Sequence, residues 1–193
     1  MRLLPNTVVM APGDELDVAP MLKFALTLNQ PVSMRYPKAG LEKVEREPQA
    51  VELGRAEVHR WGKDVMIVAC GTLFGNCVKA AAKLREEGYD AGVINARFVK
   101  PLDQGTILRA IEETELVVTV EEGTLEGGFG SAVLEAANAA GLDTRGLVRL
   151  GIPDRFIEHA ERSELLADLG LDVNGICRTV RARLGAREQI KAG

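Results

Sequence analysis

Asp64 to Phe98 reads DVMIVACGTLFGNCVKAAAKLREEGYDAGVINARF, and the hydrophobic period changes twice within it. Asp64 to Cys70 is a short, almost unbroken apolar run, as expected of a strand covered on both faces. From Leu73 to Glu87 the pattern turns helical: Val78, Ala81, Ala82 and Leu84 share one side, while Lys79, Lys83, Arg85 and Glu86 spread over the other. Gly88 ends the helix, and Ala91 to Phe98 reads as a second strand. Strand, helix and strand in this order form a parallel crossover unit, which places the chain in the α/β class.

The pattern extends in both directions. Further strands are expected at Thr7 to Met10, Pro31 to Tyr36, Leu116 to Glu121 and Leu147 to Leu150, with a lone strand at Gly54 to Trp61. Asp103, after Pro101, opens a helix with Ile107, Leu108 and Ile111 at helical spacing, and Ser131 to Ala140 forms another. Lys38 to Gln49, KAGLEKVEREPQ, is charged and lacks apolar periodicity. The expected organisation is a β-α-β unit over residues 1–40, a linker over 41–47, and a mostly parallel open sheet with helices on both faces over 48–193. The first unit is too small to cover both faces of its own sheet, so it reads as the remnant of a second α/β domain.

Composition narrows the function classes. The chain has 193 residues, 46% of them apolar, and its 24 basic and 28 acidic side chains give a net charge of -4 without any block of one sign. Nucleic acid is therefore not an expected partner. Cys70, Cys77 and Cys177 have no metal-binding spacing and only His59 and His159 could assist them, so buried reduced thiols are expected rather than zinc. The N-terminal MRLLPNTVVMAPGDE has no uninterrupted apolar stretch of the secretory type. The apolar runs fall far short of the roughly 20 residues of a membrane helix, and the cytoplasm is the expected compartment.

Four segments could carry chemistry. Arg35, in SMRYPK, stands at the carboxyl end of a predicted parallel strand, where such sheets place ligand-contacting side chains, and its planar fork suits a phosphate. Pairing with a linker acid such as Glu42 is the competing role. Gly123 to Gly130 follows a strand and precedes a helix, yet it has neither the Gly-Lys-Ser/Thr ending of a phosphate loop nor dinucleotide-binding spacing. Glu121 and Glu122 before it would repel a phosphate, so close packing of the helix against the sheet or a second subunit is expected. These two acids leave a strand side by side and must point opposite ways, which favours capping or solvent exposure over paired acid–base work. Asp154 and His159 flank Phe156 and Ile157 without a local nucleophile; a turn held by Pro153, with the aromatic ring packed in the core, is expected there.

Four motifs together, RFVKPLD at Arg97 to Asp103, VEEGTLEGGFG at Val120 to Gly130, LGIPDRFIEH at Leu150 to His159 and GLDVNGI at Gly170 to Ile176, resemble the C-terminal part of the 1-deoxy-D-xylulose-5-phosphate synthase family, in the transketolase superfamily. The resemblance runs almost end to end. It assigns residues 1–40 to the end of a pyrimidine-binding domain and about 48–187 to a transketolase-type C-terminal domain. It implies a transferase that uses thiamine diphosphate and magnesium to join a two-carbon unit from pyruvate to glyceraldehyde 3-phosphate, in isoprenoid and thiamine precursor synthesis. It further implies that Arg35 grips the acceptor phosphate; Lys38 stands where many relatives have arginine. The family's metal motif has no counterpart, since Pro12 to Glu15 reads as a helix start capped by Asp14. A fragment inactive alone is thus expected, with no cofactor bound, serving phosphate binding and contacts to the N-terminal domains and a second copy. A 2-oxoacid dehydrogenase β subunit, a transketolase fragment and a non-catalytic dimerising or regulatory module are the alternatives.

Overall fold

The computed structural model describes the backbone of residues 1–38 and 40–192 and the side chains of 1–38 and 40–186. In chain order the elements are β1 (Val8–Met10), α1 (Glu15–Ala25), β2 (Val32–Met34), β3 (Glu57–Arg60), β4 (Val65–Cys70), α2 (Phe74–Glu86), β5 (Ala91–Asn95), β6 (Phe98–Lys100), α3 (Gln104–Glu113), β7 (Leu116–Thr124), α4 (Phe129–Ala139), β8 (Leu147–Ile152), α5 (Arg162–Asp168) and α6 (Val173–Ala192). The larger sheet has the order β3-β5-β4-β7-β8 and is parallel except for β3 at one edge. Its central strand β4 is buried along its whole length, in keeping with its unbroken apolar sequence.

Helices cover both faces. On one, Phe74, Cys77, Ala81 and Leu84 of α2 pack with Ile176, Cys177 and Val180 of α6 against Val65, Ile67 and Ala69. On the other, Ile107 and Ala110 of α3 and Phe129 and Val133 of α4 meet Met66, Val68 and Ile94. The buried stripe of α2 runs through Cys77, Ala80, Ala81 and Leu84, whereas Val78 and Ala82 lie at its margin. The phase is set by Phe74, which anchors the helix's first turn in the core.

The segment expected as one strand from Ala91 to Phe98 is two. Ala91–Asn95 belongs to the larger sheet, and Phe98–Lys100 crosses into a smaller one of order β2-β1-β6, where it runs antiparallel to β1. Between them Arg97 adopts a left-handed conformation at φ 55°, a bend that costs about 1 kcal/mol or more. The first unit is therefore completed by a strand from the second. Phe98 fills the small core with Val8, Met10 and Met21, and the Phe24 ring meets it edge-on at 6.2 Å.

The bend delivers the Arg97 guanidinium into a buried cluster. It contacts Asp17 Oδ1 at 2.8 Å and Glu57 Oε2 at 2.9 Å, while Arg46 reaches Asp14 at 2.7 Å, Asp17 at 3.1 Å and Glu57 at 2.9 Å. None of these five side chains is more than 4% exposed. The Asn95 side-chain amide donates a hydrogen bond to Asp17 Oδ2 at 2.7 Å.

Three expectations change in detail. Asp14 precedes α1 but makes no side-chain cap; its carboxylate turns instead to Arg46 and the Val44 N–H. The stretch expected as a linker has neither helix nor strand, yet Val44 and the Arg46 side chain are buried. Phe156 is fully exposed rather than packed in the core, because β8 is the outer strand of its sheet and the chain leaves it past the last layer.

Burial alone would raise the pKa of Asp17, but Arg97, the Asn95 amide, the Gly13 N–H and Arg46 outweigh it and hold the carboxyl below its ordinary value. A depressed folded-state pKa adds stability that is complete above the unfolded value, about 3.9, and is lost as pH falls through the folded one. Urea unfolding between pH 6 and pH 2 is expected to show that decline, and Asp17→Asn is expected to make it shallower.

Candidate functional site

The carboxyl ends of β1, β2, β4 and β7 converge on one cleft of about 580 Å³. Its lining follows from that convergence: Met10 and Ala11 at the end of β1, Arg35 and Tyr36 after β2, Cys70 to Thr72 at the end of β4, and Glu121 and Glu122 from β7. Gly127, Gly128 and Phe129 close one wall where α4 begins. Side chains just beyond parallel strands have left the ladder without entering the covering helix, which makes such ends the usual ligand crevice.

Glu121 and Glu122 diverge, as adjacent strand residues must. The Glu121 carboxylate accepts from the N–H groups of Phe129 and Gly130, each at 2.8 Å, and so satisfies two orphan donors at the start of α4. This close seat requires glycine. A Cβ on Gly128 would lie 2.2 Å from the Thr124 carbonyl, and one on Gly130 would lie 2.6 Å from Thr119 Oγ1. The glycine-rich segment thus packs a helix against the sheet, and the donors that might have cradled a phosphate are held by Glu121. Burial raises the Glu121 pKa and outweighs the two N–H groups, Arg149 and Arg35.

Glu122 turns the other way. Its Oε1 accepts from Arg162 Nε at 3.0 Å, and its Oε2 from Arg162 Nη2 at 2.6 Å and Thr72 Oγ1 at 3.2 Å. Burial alone would raise this carboxyl as well; Arg162, Thr72 and Arg35 reverse the shift and hold it low.

Arg35 lies at the cleft with its side chain exposed. Its backbone N–H donates to the Met10 carbonyl at 2.9 Å, and its Nη1 donates to the backbone carbonyl of Glu122. Glu42, the acid weighed as its partner, is taken by Lys79 at 2.7 Å. Asp154 and His159 are exposed on the loop after β8 and do not line the cleft. Cys70 does line it, but burial pushes its thiol up to about 12, with Glu121 adding to the shift and Arg35 opposing it; it is not a thiolate at neutral pH.

Sequence reasoning passed over Thr72 and Arg162. Thr72 could have been found by the argument that selected Arg35, since it too follows a parallel strand. Arg162 has no such signal: it reaches Glu122 from 40 residues along the chain, and only the packing of α5 brings them together.

Thiamine diphosphate is held through a divalent cation and its diphosphate. Among the described residues no three His, Cys, Asp or Glu side chains are grouped to hold a metal ion, and both cleft carboxylates are engaged. Among the described residues, those present do not fit that group.

A mostly parallel α/β domain, with its strand ends facing a cleft shared with a β-α-β unit, defines the class of protein. The chain belongs to the family described as transketolase, C-terminal domain, whose model matches residues 54–176. Within that family it is 44% identical over 190 residues to the 1-deoxy-D-xylulose-5-phosphate synthase of Rhodopirellula baltica, covering 97% of this chain and 30% of the relative. To the synthase of Thermomicrobium roseum it is 45% identical over 196 residues, covering 100% and 31%. The chain thus spans less than a third of the length of these curated relatives. Among solved structures, a split gene transketolase described as an inactive β4 tetramer superposes with a TM-score of 0.87 at 33% identity, covering 96% of this chain and 60% of that one. A transketolase from Campylobacter jejuni shares the fold, with a TM-score of 0.69 at 16% identity over 94% of this chain and 27% of its own.

Glu121→Ala removes the acceptor for two N–H groups at the head of α4, and a lost cap of this kind costs about 1–2 kcal/mol. Urea denaturation at pH 7 is expected to show that loss, with amide exchange accelerated first at Phe129 and Gly130.

Proposed function

We propose that this chain supplies the acceptor-binding side of a 1-deoxy-D-xylulose-5-phosphate synthase, acting with cofactor-binding domains that complete the active site. The reaction joins the two-carbon unit left by decarboxylation of pyruvate to glyceraldehyde 3-phosphate. Thiamine diphosphate, bound with magnesium by those domains, supplies the carbanion stabilisation. The observation that carries the reading is Arg35: its guanidinium lies at a cleft built from four strand ends and is bound to a carbonyl rather than a carboxylate. A planar cation in that position receives a phosphate dianion in charge-assisted, bidentate fashion. The 44–45% identity to synthases over nearly the whole chain supports the same assignment. By itself the chain would bind phosphate without decarboxylating pyruvate.

The partners in this reading are the remaining synthase domains and a second copy of the chain, in a homodimer in the cytoplasm. Phe156, Leu3 and Leu26, all strongly exposed, support further contacts of this kind. The tetramer formed by the split gene transketolase also supports self-association. Among the described residues no helix is long and apolar enough to cross a membrane. We retain the division into a first unit at 1–40, a connecting stretch at 41–47 and a C-terminal domain from 48. The buried ion cluster and β6 would dock the first two parts against the third.

Two measurements test these readings. In enzyme assembled from this chain and the cofactor-binding domains, Arg35→Ala is expected to raise the KM for glyceraldehyde 3-phosphate at least about tenfold, as a charge-assisted contact contributes ~1.5–3 kcal/mol. Pyruvate and an unphosphorylated aldehyde should be little affected; equal losses with both acceptors would assign Arg35 to the fold instead. For the domain division, limited proteolysis should cut between Lys38 and Lys43, and the two pieces should co-elute under native conditions. Separation of the pieces would refute the docked arrangement.

A further inference from the structure

Thr72 and Pro37 line the cleft and also a second recess, of about 340 Å³, whose wall includes Arg162. Glu122 is engaged from both sides of this divide. Its backbone carbonyl accepts from Arg35, and its carboxylate accepts two bonds from Arg162 and one from Thr72. The second set matters for the first. A guanidinium prefers a carboxylate to a carbonyl, because the ionised acceptor makes the shorter and stronger pair and fills both prongs of the fork. The Glu122 side chain starts from the same residue whose carbonyl already touches Arg35, so a free carboxylate there would be within a rotamer change of capturing it.

We infer that Arg162 is a positioning residue: by holding the Glu122 carboxylate against Thr72, it leaves the Arg35 fork open for the phosphate of the acceptor. The inference rests on the phosphate-binding reading of Arg35 given above. It accounts for an acid standing beside an anion site without blocking it. Arg162 neutralises the charge and holds the carboxylate on Thr72, where the cleft meets the second recess. Coulombic attraction from Arg35 already contributes to holding the Glu122 carboxyl low, so the two groups are electrostatically in reach of one another. Arg162 also suits the role because its own side chain is 45% exposed and anchored in no core cluster; its loss removes the restraint while leaving α5 in place.

The test is titration of the 193-residue chain with inorganic phosphate and with glyceraldehyde 3-phosphate, followed by phosphorus NMR. Arg162→Ala is expected to weaken both about fivefold, the scale of one partly exposed ion pair formed between Glu122 and Arg35. In a Glu122→Gln background the same substitution should change affinity less than about twofold, and Arg162→Lys should retain most of the parent affinity. Circular dichroism of each variant should match the parent. An unchanged affinity in Arg162→Ala would overturn the inference. So would a fivefold loss that persists in the Glu122→Gln background, since that would make Arg162 a direct or long-range phosphate ligand. Arg35→Ala separates the two layers. If it weakens phosphate binding while Arg162→Ala does not, only the positioning role falls; if Arg35→Ala itself has no effect, the phosphate reading falls and the inference with it.

Discussion

Five buried ionic side chains hold the two sheets in register. Asp14 and Asp17 come from the first unit, Arg46 from the connecting stretch, and Glu57 and Arg97 from the larger domain. Desolvating so many charges costs several kcal/mol per ion, and their mutual attraction does little more than offset it. The cluster therefore adds less to stability than an apolar core of the same volume would. What it contributes is uniqueness. Three carboxylates against two guanidiniums, with Asn95 as a further donor, can be satisfied in few arrangements, and each alternative strands a charge away from water. An apolar contact would tolerate a slide of one sheet over the other, whereas a misaligned cluster would not.

That restraint sets the geometry of the cleft. Arg35 follows a strand of the small sheet and Glu122 lies in the last part of a strand of the large one, yet they share a hydrogen bond. Such a contact needs the two sheets fixed to within a fraction of an ångström, far from the contact itself. The chain between Ala91 and Lys100 provides the means, because it belongs to both sheets and bends at Arg97, the residue whose side chain enters the cluster. Backbone crossing and buried charge thus act at one point. The left-handed residue carries the side chain that makes two of these ion pairs.

Much of this was legible in the sequence, and the exceptions share a cause. The parallel sheet and the helices α2, α3 and α4 follow from period and punctuation, which are local; α5 and α6 carried no such signal. The diverging acids and the packing role of the glycine-rich segment follow from strand geometry. By contrast, Ala91 to Phe98 reads as one strand because nothing in VINARF marks the bend; the left-handed Arg97 meets Asp17 and Glu57, partners distant in sequence. Asp14 looks like a cap by position, and Arg46 claims it instead. Phe156 looks like a core residue by type, and the end of the sheet leaves it in solvent. In each case the deciding partner lies far along the chain, where neither propensity nor spacing carries information.

The charges of the cleft indicate which chemistry its own residues serve. Glu121 spends its oxygens on the head of α4, Glu122 is ion-paired, and the Cys70 thiol is kept protonated by burial. A general base needs a lone pair free to meet substrate, and a nucleophile needs to be ionised or activated by a neighbouring base. These three groups are committed elsewhere or suppressed. Arg35 remains, a cation whose guanidinium, among the described residues, donates to a neutral carbonyl. In the proposed reading, such a surface would bind and orient an anionic substrate while leaving bond making to groups across the cleft. Under that proposal, phosphate binding would also contribute to rate, since energy gained from a remote, unreacting group can be used to fix the reacting carbon in place.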